Sequence, residues 1–342
     1  MTPQQRARVS MVVQQRKMLN PDGYGKSTFS PDAYMLGLIV SSEQLVSHVT
    51  NSNSQLFEAE LLTRSSERKA TSGAQGDFFC RLLMVDAALL DDTLRHHELH
   101  PAAELLIQKA IERSLFGSPH RRGFMGNSEW LSWYDTMNGC ISAVRKNSRL
   151  AAFRKSQSSF ELKVTKDFKL LKKHLQDSLK AEGDLKHVRF DLIYPKTGIS
   201  GMDQIHWRFD RLVRDLLALL CELSHNPKRF IGAAWAIDYS SGGSYSVHVS
   251  SFFAVDKFPV QADSLASVIE TIWKKITTKG SVHFPVNQWD QRGRFDGTGS
   301  LSWSSPDSKK ALETTAFYMA MPATYSRLRL DGGRQAWGIH MP

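Results

Sequence analysis

Residues 230–255 constrain the fold of this chain more than any other stretch. Phe230-Ile-Gly-Ala-Ala-Trp-Ala-Ile-Asp-Tyr239 and the run from Tyr245 to Val255 are rich in strand formers, and a Gly-rich turn, Ser240-Ser-Gly-Gly-Ser244, separates them. Two such runs around a short glycine turn predict a β-hairpin. Side chains on a strand alternate between faces. Ser246, His248 and Ser250 therefore share one face, and Tyr245, Val247 and Val249 share the other. The second face is apolar and needs covering. The first sets a histidine in mid-sheet among small hydroxyls, with the carboxylate of Asp238 closing the preceding strand.

The elements around the hairpin extend that reading. His187-Val-Arg-Phe-Asp-Leu-Ile-Tyr194 alternates and stops at Pro195, as a strand would. Met202 to Leu223 and Ser264 to Ile276 carry apolar residues at helical spacing, and so does Ser308 to Tyr318 with a little beyond. Gly280 to Trp303 is a turn-rich excursion. This order suits an antiparallel sheet with helices packed on one face. Upstream the pattern is helical over Asp32 to Val49, Phe78 to Leu94, Ala102 to Leu115 and Trp130 to Val144, with a turn cluster at Gly117 to Gly123. The fold class expected is α+β. It comprises a polar, basic arm over residues 1–30, an all-helical domain over 31–150 and the sheet domain over 151–342. A chain of 342 residues favours two domains over one.

Composition narrows the function classes. Apolar residues make up 41%, enough for a sizeable core. No run of 18 apolar residues exists, so no membrane span is expected. The first residues, Met1-Thr-Pro-Gln-Gln-Arg6, lack a signal-peptide core. Three widely spaced cysteines, Cys80, Cys140 and Cys221, fit neither a disulfide framework nor a zinc knuckle. Reduced thiols in a cytoplasmic protein are the expectation. The net charge of +10 favours polyanionic partners. Part of it lies on Lys163, Lys166, Lys169, Lys172 and Lys173, where Val164 to Leu179 has helical apolar spacing. Those lysines are either a solvated helix face or contacts to a nucleic-acid backbone.

Several segments of the second half, taken in order, resemble the HUH endonucleases, which nick single-stranded DNA to start rolling-circle replication. The likeness is to the inovirus Gp2-like group, which includes prophage-borne proteins of the YagK/YfjJ type. Val188-Arg-Phe-Asp-Leu-Ile-Tyr194 resembles their first strand, and Phe230 to Asp238 the strand that ends in a carboxylate. Tyr245-Ser-Val-His-Val249 is similar to the HUH strand. Ile272-Trp-Lys-Lys275, Thr278-Lys-Gly-Ser281 and Val286-Asn287 are similar to the helix and turn that follow. Tyr318-Met-Ala-Met321 resembles the nucleophile motif Tyr-x-x-Lys, and Arg334-Gln-Ala-Trp-Gly-Ile-His340 the Arg-x-x-Gly ending. The likeness covers roughly residues 155–342. It departs from the family pattern at Ser246, where a first metal-binding histidine is expected, and at Met321, where a lysine is expected.

The resemblance implies a replication-initiator-like protein of a phage, prophage or mobile element that binds single-stranded or hairpin DNA. His248 and Asp238 become ligands of Mg²⁺ or Mn²⁺, a Lewis acid on the scissile phosphate. Tyr318 becomes the nucleophile that keeps the 5′ end as a phosphotyrosine. The two replacements imply that nicking is weakened or lost. Arg189 and Asp191, on the same sheet face by alternation, become contacts to DNA. RNA is not excluded as the ligand. The helical domain resembles nothing named and is open to a protein partner, with the sheet domain then serving as scaffold.

Other readings of the same residues stay open. A lone strand histidine is often a hydrogen-bonded structural residue, and a tyrosine in an apolar helix often only packs. Tyr239 and Tyr325 are alternative nucleophiles. Asp238 also suits the start of a turn. Some motifs are set aside. Gly25-Lys-Ser-Thr28 lacks the first glycine of a phosphate-binding loop, with Asn20 in its place. His96 and His100 sit at a helix end that Pro101 stops, which predicts a solvated terminus. Trp130, Trp133 and Tyr134 have core spacing. Arg121 and Arg122 make a loop contact or a solvated loop.

Overall fold

The computed structural model describes residues 31–61, 68–117, 127–193, 202–225, 230–240, 244–255, 262–277, 280–283, 299–330 and 335–341. The expected arm over 1–30, the Gly25–Thr28 motif, Arg121, Arg122, Val286, Asn287 and Arg334 lie outside the described residues. So does the tip of the central hairpin at residues 241–243.

The fold is α+β, and the chain forms two compact units. The first holds the described residues up to Lys163 together with the short return segment Thr324–Arg327. The division falls inside one continuous helix, where the sequence suggests residue 150. The helices of this unit are α1 (Pro31–Asn51), α2 (Ala74–Leu83), α3 (Ala87–His96), α4 (Pro101–Ile111), α5 (Asn127–Ser148) and the first part of α6 (Ala151–Glu182). Leu45, Val49, Leu106, Ile107, Met137, Cys140 and Ile141 form the buried core, with α1, α4 and α5 in mutual contact.

The single helix expected over Phe78 to Leu94 is two. Asp86 breaks it by accepting hydrogen bonds from the Ala88 and Leu89 N–H groups at 2.8 and 3.0 Å, an N-cap. A hairpin of β1 (Phe57–Leu61) and β2 (Arg68–Ser72) adds strand to the helical half. Phe57, Ala59 and Leu61 alternate with Glu58 and Glu60 in β1, a period-2 signal only five residues long, and β2 does not repeat it. The expectation of a solvated terminus at His96 and His100 is corrected. Both are buried. His96 Nδ1 lies 3.0 Å from Asp92, and His100 Nδ1 caps α4 by accepting from the Ala102 N–H at 3.3 Å. Trp133 is buried and Tyr134 packs 5.0 Å from the Phe57 ring, as core spacing predicts.

The second unit is built on a six-stranded antiparallel sheet. Its strands are β4 (Asp184–Ile193), β5 (Phe230–Ser240), β6 (Ser244–Ala254), β7 (Ser281–His283), β8 (Gly299–Ser302) and β10 (Trp337–His340). The order is β10-β5-β6-β4-β7, and β8 also pairs with β4. A separate two-stranded sheet, β3 (His97–Leu99) with β9 (Ser326–Leu328), belongs to the first unit in all but Leu328. Entry to the sheet is set by Gly183, whose φ of +79° ends α6 while its N–H bonds the Leu179 carbonyl at 2.9 Å.

Helices α7 (Met202–His225) and α8 (Ala262–Thr277) cover one sheet face. Phe190, Leu192, Trp235, Ile237, Tyr245, Val247 and Val249 pack there against Leu212, Leu216, Leu220, Ile269 and Trp273. Burying a large apolar side chain of this kind contributes roughly 1.5–3 kcal/mol, so this face holds the sheet together. Helix α9 (Pro306–Ala320) brings its C-terminal end to the opposite face. Among the described residues, no helix is long and apolar enough to cross a membrane.

Candidate functional site

The site lies on the sheet face opposite the α7/α8 core. Register decides its members. On β6, His248 pairs with Asp191 of β4 on one side and with Ala236 of β5 on the other. Two residues along, Ser250 pairs with Arg189, and two residues back Ser246 pairs with Asp238. Alternation thus carries Asp191, Arg189, Asp238, Ser246, His248 and Ser250 to one face.

His248 is the hub and is 2% exposed. Its Nδ1 lies 2.6 Å from Asp191 Oδ1, and its Nε2 lies 3.1 Å from Asp238 Oδ2. The shorter contact is a charge-assisted hydrogen bond that puts a proton on Nδ1. That choice leaves Nε2 facing a carboxylate oxygen. Two lone pairs at 3.1 Å repel unless a cation stands between them. A proton on either group, or a bound metal ion, relieves that repulsion.

Tyr318, near the end of α9, completes the group. Its hydroxyl lies 3.4 Å from His248 Nδ1, with the rings edge to face at 5.6 Å. The Arg189 guanidinium stands 3.9 Å from the centroid of the Tyr318 ring. A cation over the ring stabilises negative charge developing on the phenol. Helix α9 is anchored to α6 by the Lys172–Glu313 ion pair at 2.9 Å and by Phe168 edge-on to Phe317 at 6.1 Å.

The resemblance placed His248, Asp238 and Tyr318 in one site from three separate motifs, and the three stand together. The likeness did not supply Asp191 as the partner of the histidine. The Asp191–His248 register was the signal, and it becomes readable only once β4 is known to lie beside β6. Arg189 stands over the nucleophile candidate. Met321 is buried at the end of α9, and its thioether adds no charge. Tyr239 belongs to the opposite face and packs in the core 5.0 Å from Tyr245. Tyr325 is buried in the helical unit. Of the lysines on α6, Lys163, Lys166, Lys169 and Lys173 are exposed, whereas Lys172 is committed to Glu313.

His187 is a second buried imidazole on this face. It lies flat on Phe252 with ring centroids 4.8 Å apart, and its Nε2 contacts the Ser250 hydroxyl. Burial, followed by the charge of Arg189, pushes its pKa down to about 3, so it is neutral at physiological pH. It serves as a strut rather than a proton carrier. Two of the three thiols, Cys80 and Cys140, offer no nucleophile either. Burial raises Cys80 to about 11 and Cys140 to about 12.

Donor geometry limits a metal to two protein ligands. Asp191 and Asp238 sit on opposite ring nitrogens, whose lone pairs diverge, so they do not converge on one ion. Among the described residues no group of three or more metal-binding side chains occurs. His248 Nε2 and Asp238 Oδ2 do converge. Adjacent ligands of an octahedral Mg²⁺ with bonds of about 2.1 Å stand about 3.0 Å apart, which their 3.1 Å separation fits. Asp238 is 23% exposed, leaving the remaining positions to water or phosphate. Comparison with family models, curated proteins and solved structures finds no match to this chain.

Proposed function

We propose that this protein binds single-stranded or hairpin DNA across the polar face of the six-stranded sheet and nicks it slowly through Tyr318. It would then be an HUH-like replication initiator of a phage, prophage or mobile element. The observation that carries the reading is the cluster itself: Tyr318 Oη at 3.4 Å from an imidazole whose far nitrogen faces Asp238 at 3.1 Å.

The chemistry divides among named atoms. Tyr318 Oη attacks phosphorus, the O–P bond to tyrosine forms and the P–O3′ bond breaks. His248 Nδ1 already carries the proton it gives to Asp191, so the phenolic proton leaves to water as the bond forms, and the departing 3′ oxygen takes a proton from water. Arg189 offsets charge on the phenol while the bond forms and again when the strand is rejoined. A divalent ion, if held by His248 and Asp238, would supply Lewis acidity at a non-bridging phosphate oxygen. With Ser246 in place of a second imidazole, two protein ligands hold that ion weakly, which is the reason for slow turnover.

The test is a denaturing-gel assay. Wild type and Tyr318→Phe are incubated with Mn²⁺ and labelled single-stranded and hairpin DNA from the neighbourhood of the gene. The reading expects a labelled band at protein mass that Tyr318→Phe abolishes. Salt-sensitive DNA binding with no such band would replace it with a DNA-binding protein that has lost the chemistry.

A further inference from the structure

The outer face of α6 carries a second, extended feature. From Val164 onward its buried side chains are Val164, Leu171, Leu175 and Leu179, which mark the inward line of the helix. At 100° per residue, Lys166, Lys169, Lys173 and Lys180 fall within about 60° of a line opposite to it. All four are exposed. Among the described residues none of them forms an ion pair, while neighbouring Lys172 does, with Glu313. Exposed Asp177 lies on the same line between Lys173 and Lys180, so the stripe is a row of four cations and one carboxylate with a net positive charge. At 1.5 Å per residue it runs for about 21 Å, with steps of about 4.5, 6 and 10.5 Å.

We propose that this stripe is the track along which a single-stranded DNA backbone is held, one phosphate to each lysine. This rests on the reading of the sheet domain as a handler of single-stranded DNA. Charge complementarity selects the occupant, because a flexible phosphodiester chain presents a succession of single negative charges that can adjust to unevenly spaced ammonium groups. A lipid surface fits poorly. Interfacial helices bury an apolar face in the bilayer, whereas the apolar face of α6 is already inside the protein. The outward face carries a single large apolar residue in this stretch, Leu170, 57% exposed. The stripe also differs in kind from Lys172, which holds α9 and should not be counted with the DNA contacts.

Counterion release makes the claim measurable. Each phosphate neutralised on a single strand adds about 0.7 to the slope of log K against log salt, so four contribute roughly 3. The experiment uses the full chain and a fluorescein-labelled 25-nucleotide strand, with anisotropy titrations across a range of NaCl concentrations. Three proteins are compared: wild type, Lys166→Gln/Lys169→Gln/Lys173→Gln/Lys180→Gln, and a charge-matched control, Lys146→Gln/Lys274→Gln/Lys275→Gln/Lys310→Gln. Circular dichroism establishes that each is folded. The stripe variant should lose about 3 from the slope and at least tenfold in affinity at 0.1 M NaCl, with the control losing less than 1. Equal losses in the two variants would reduce the effect to net charge and overturn the proposal, as would an unchanged slope in the stripe variant. Titration with duplex of the same sequence separates the sources: one phosphate contact adds about 0.9 to the slope on duplex and about 0.7 on a single strand, so a stripe-dependent slope on duplex more than about 1.3 times that on single strand overturns the choice of a single strand. The tyrosine adduct is read separately on the wild-type protein. A stripe-specific slope without an adduct would sink the nicking reading and leave the track standing. An adduct without a stripe-specific slope would do the reverse.

Discussion

Acidification from pH 7 to pH 5 should cost this protein about 2 kcal/mol of folding stability through His187 alone. The figure follows from linkage. In the unfolded chain an imidazole titrates at about 6.5, whereas in the fold burial and the nearby Arg189 hold His187 at about 3. Between those values the unfolded state binds a proton that the folded state refuses. Stability is therefore full above pH 6.5 and falls by about 1.4 kcal/mol for each pH unit below it, until pH reaches about 3. The perturbation is His187→Phe, which keeps a flat ring on Phe252 but removes the titrating group. Urea midpoints at pH 7, 6 and 5, with the m-value checked at each, give stability for both proteins. Other groups titrate in the same range, so the quantity read is the difference in slope. The variant should be less stable at pH 7, since Ser250 loses its partner, yet should lose about 2 kcal/mol less than wild type on going to pH 5. Should the phenylalanine fail to pack, His187→Gln carries the same expectation. Parallel slopes for wild type and a folded variant would refute the claim that His187 is held neutral.

Further predictions concern the partners of the hub residues. Asp191→Asn should lower Mn²⁺ affinity about 10–100-fold by calorimetry, because the carboxylate fixes the tautomer that leaves Nε2 to the ion. Unchanged affinity would mean that Asp191 only packs. Arg189→Met should slow adduct formation about tenfold, matching the upper range for a partly desolvated cation over a ring, with Arg189→Lys recovering part of the loss. In the helical unit, His100 holds Glu161 down to about 2. Its contribution is present above about pH 4.5 and fades as pH falls towards 2, so Glu161→Gln should be less stable than wild type at neutral pH and converge with it in acid. A difference that persists at pH 2 would rule out that carboxylate.

The fold was readable where one periodicity dominated. Helix α7 and the central hairpin emerged almost at their observed bounds, because an apolar stripe or a strict alternation leaves one arrangement. The signal failed where length or polarity diluted it. In β1 Phe57, Ala59 and Leu61 do alternate with Glu58 and Glu60, but over only five residues and with no matching alternation in β2, which opens on Arg68 and Lys69. The break between α2 and α3 depends on one cap, Asp86, inside a continuous helical pattern. The burial of His100 depends on a partner distant in sequence, Glu161, which no local window contains.

The same limit explains what was missed at the site. Sequence order gave His248, Asp238 and Tyr318 because each sits in a local motif, but an interaction between strands is invisible until their register is known. Asp191 and His248 are far apart in the chain and directly opposite in the sheet. That pairing turns a lone strand histidine into a chemically polarised one. A satisfied structural histidine needs one acceptor for its one N–H. This imidazole has a carboxylate at each nitrogen and a phenol within 3.4 Å, on the face that does not hold the sheet together. Packing alone would be better served by an apolar residue there, since a buried charged group stabilises a fold weakly at best. The arrangement makes sense if the second carboxylate waits for a cation and the phenol for a phosphate. It follows that His248→Leu should leave the fold standing and abolish both Mn²⁺ binding and the tyrosine adduct. A variant that instead unfolds, while a double replacement with Asp191→Leu restores stability but not binding, would still separate the structural cost from the chemistry. Retention of the adduct by either variant would end the case for this site.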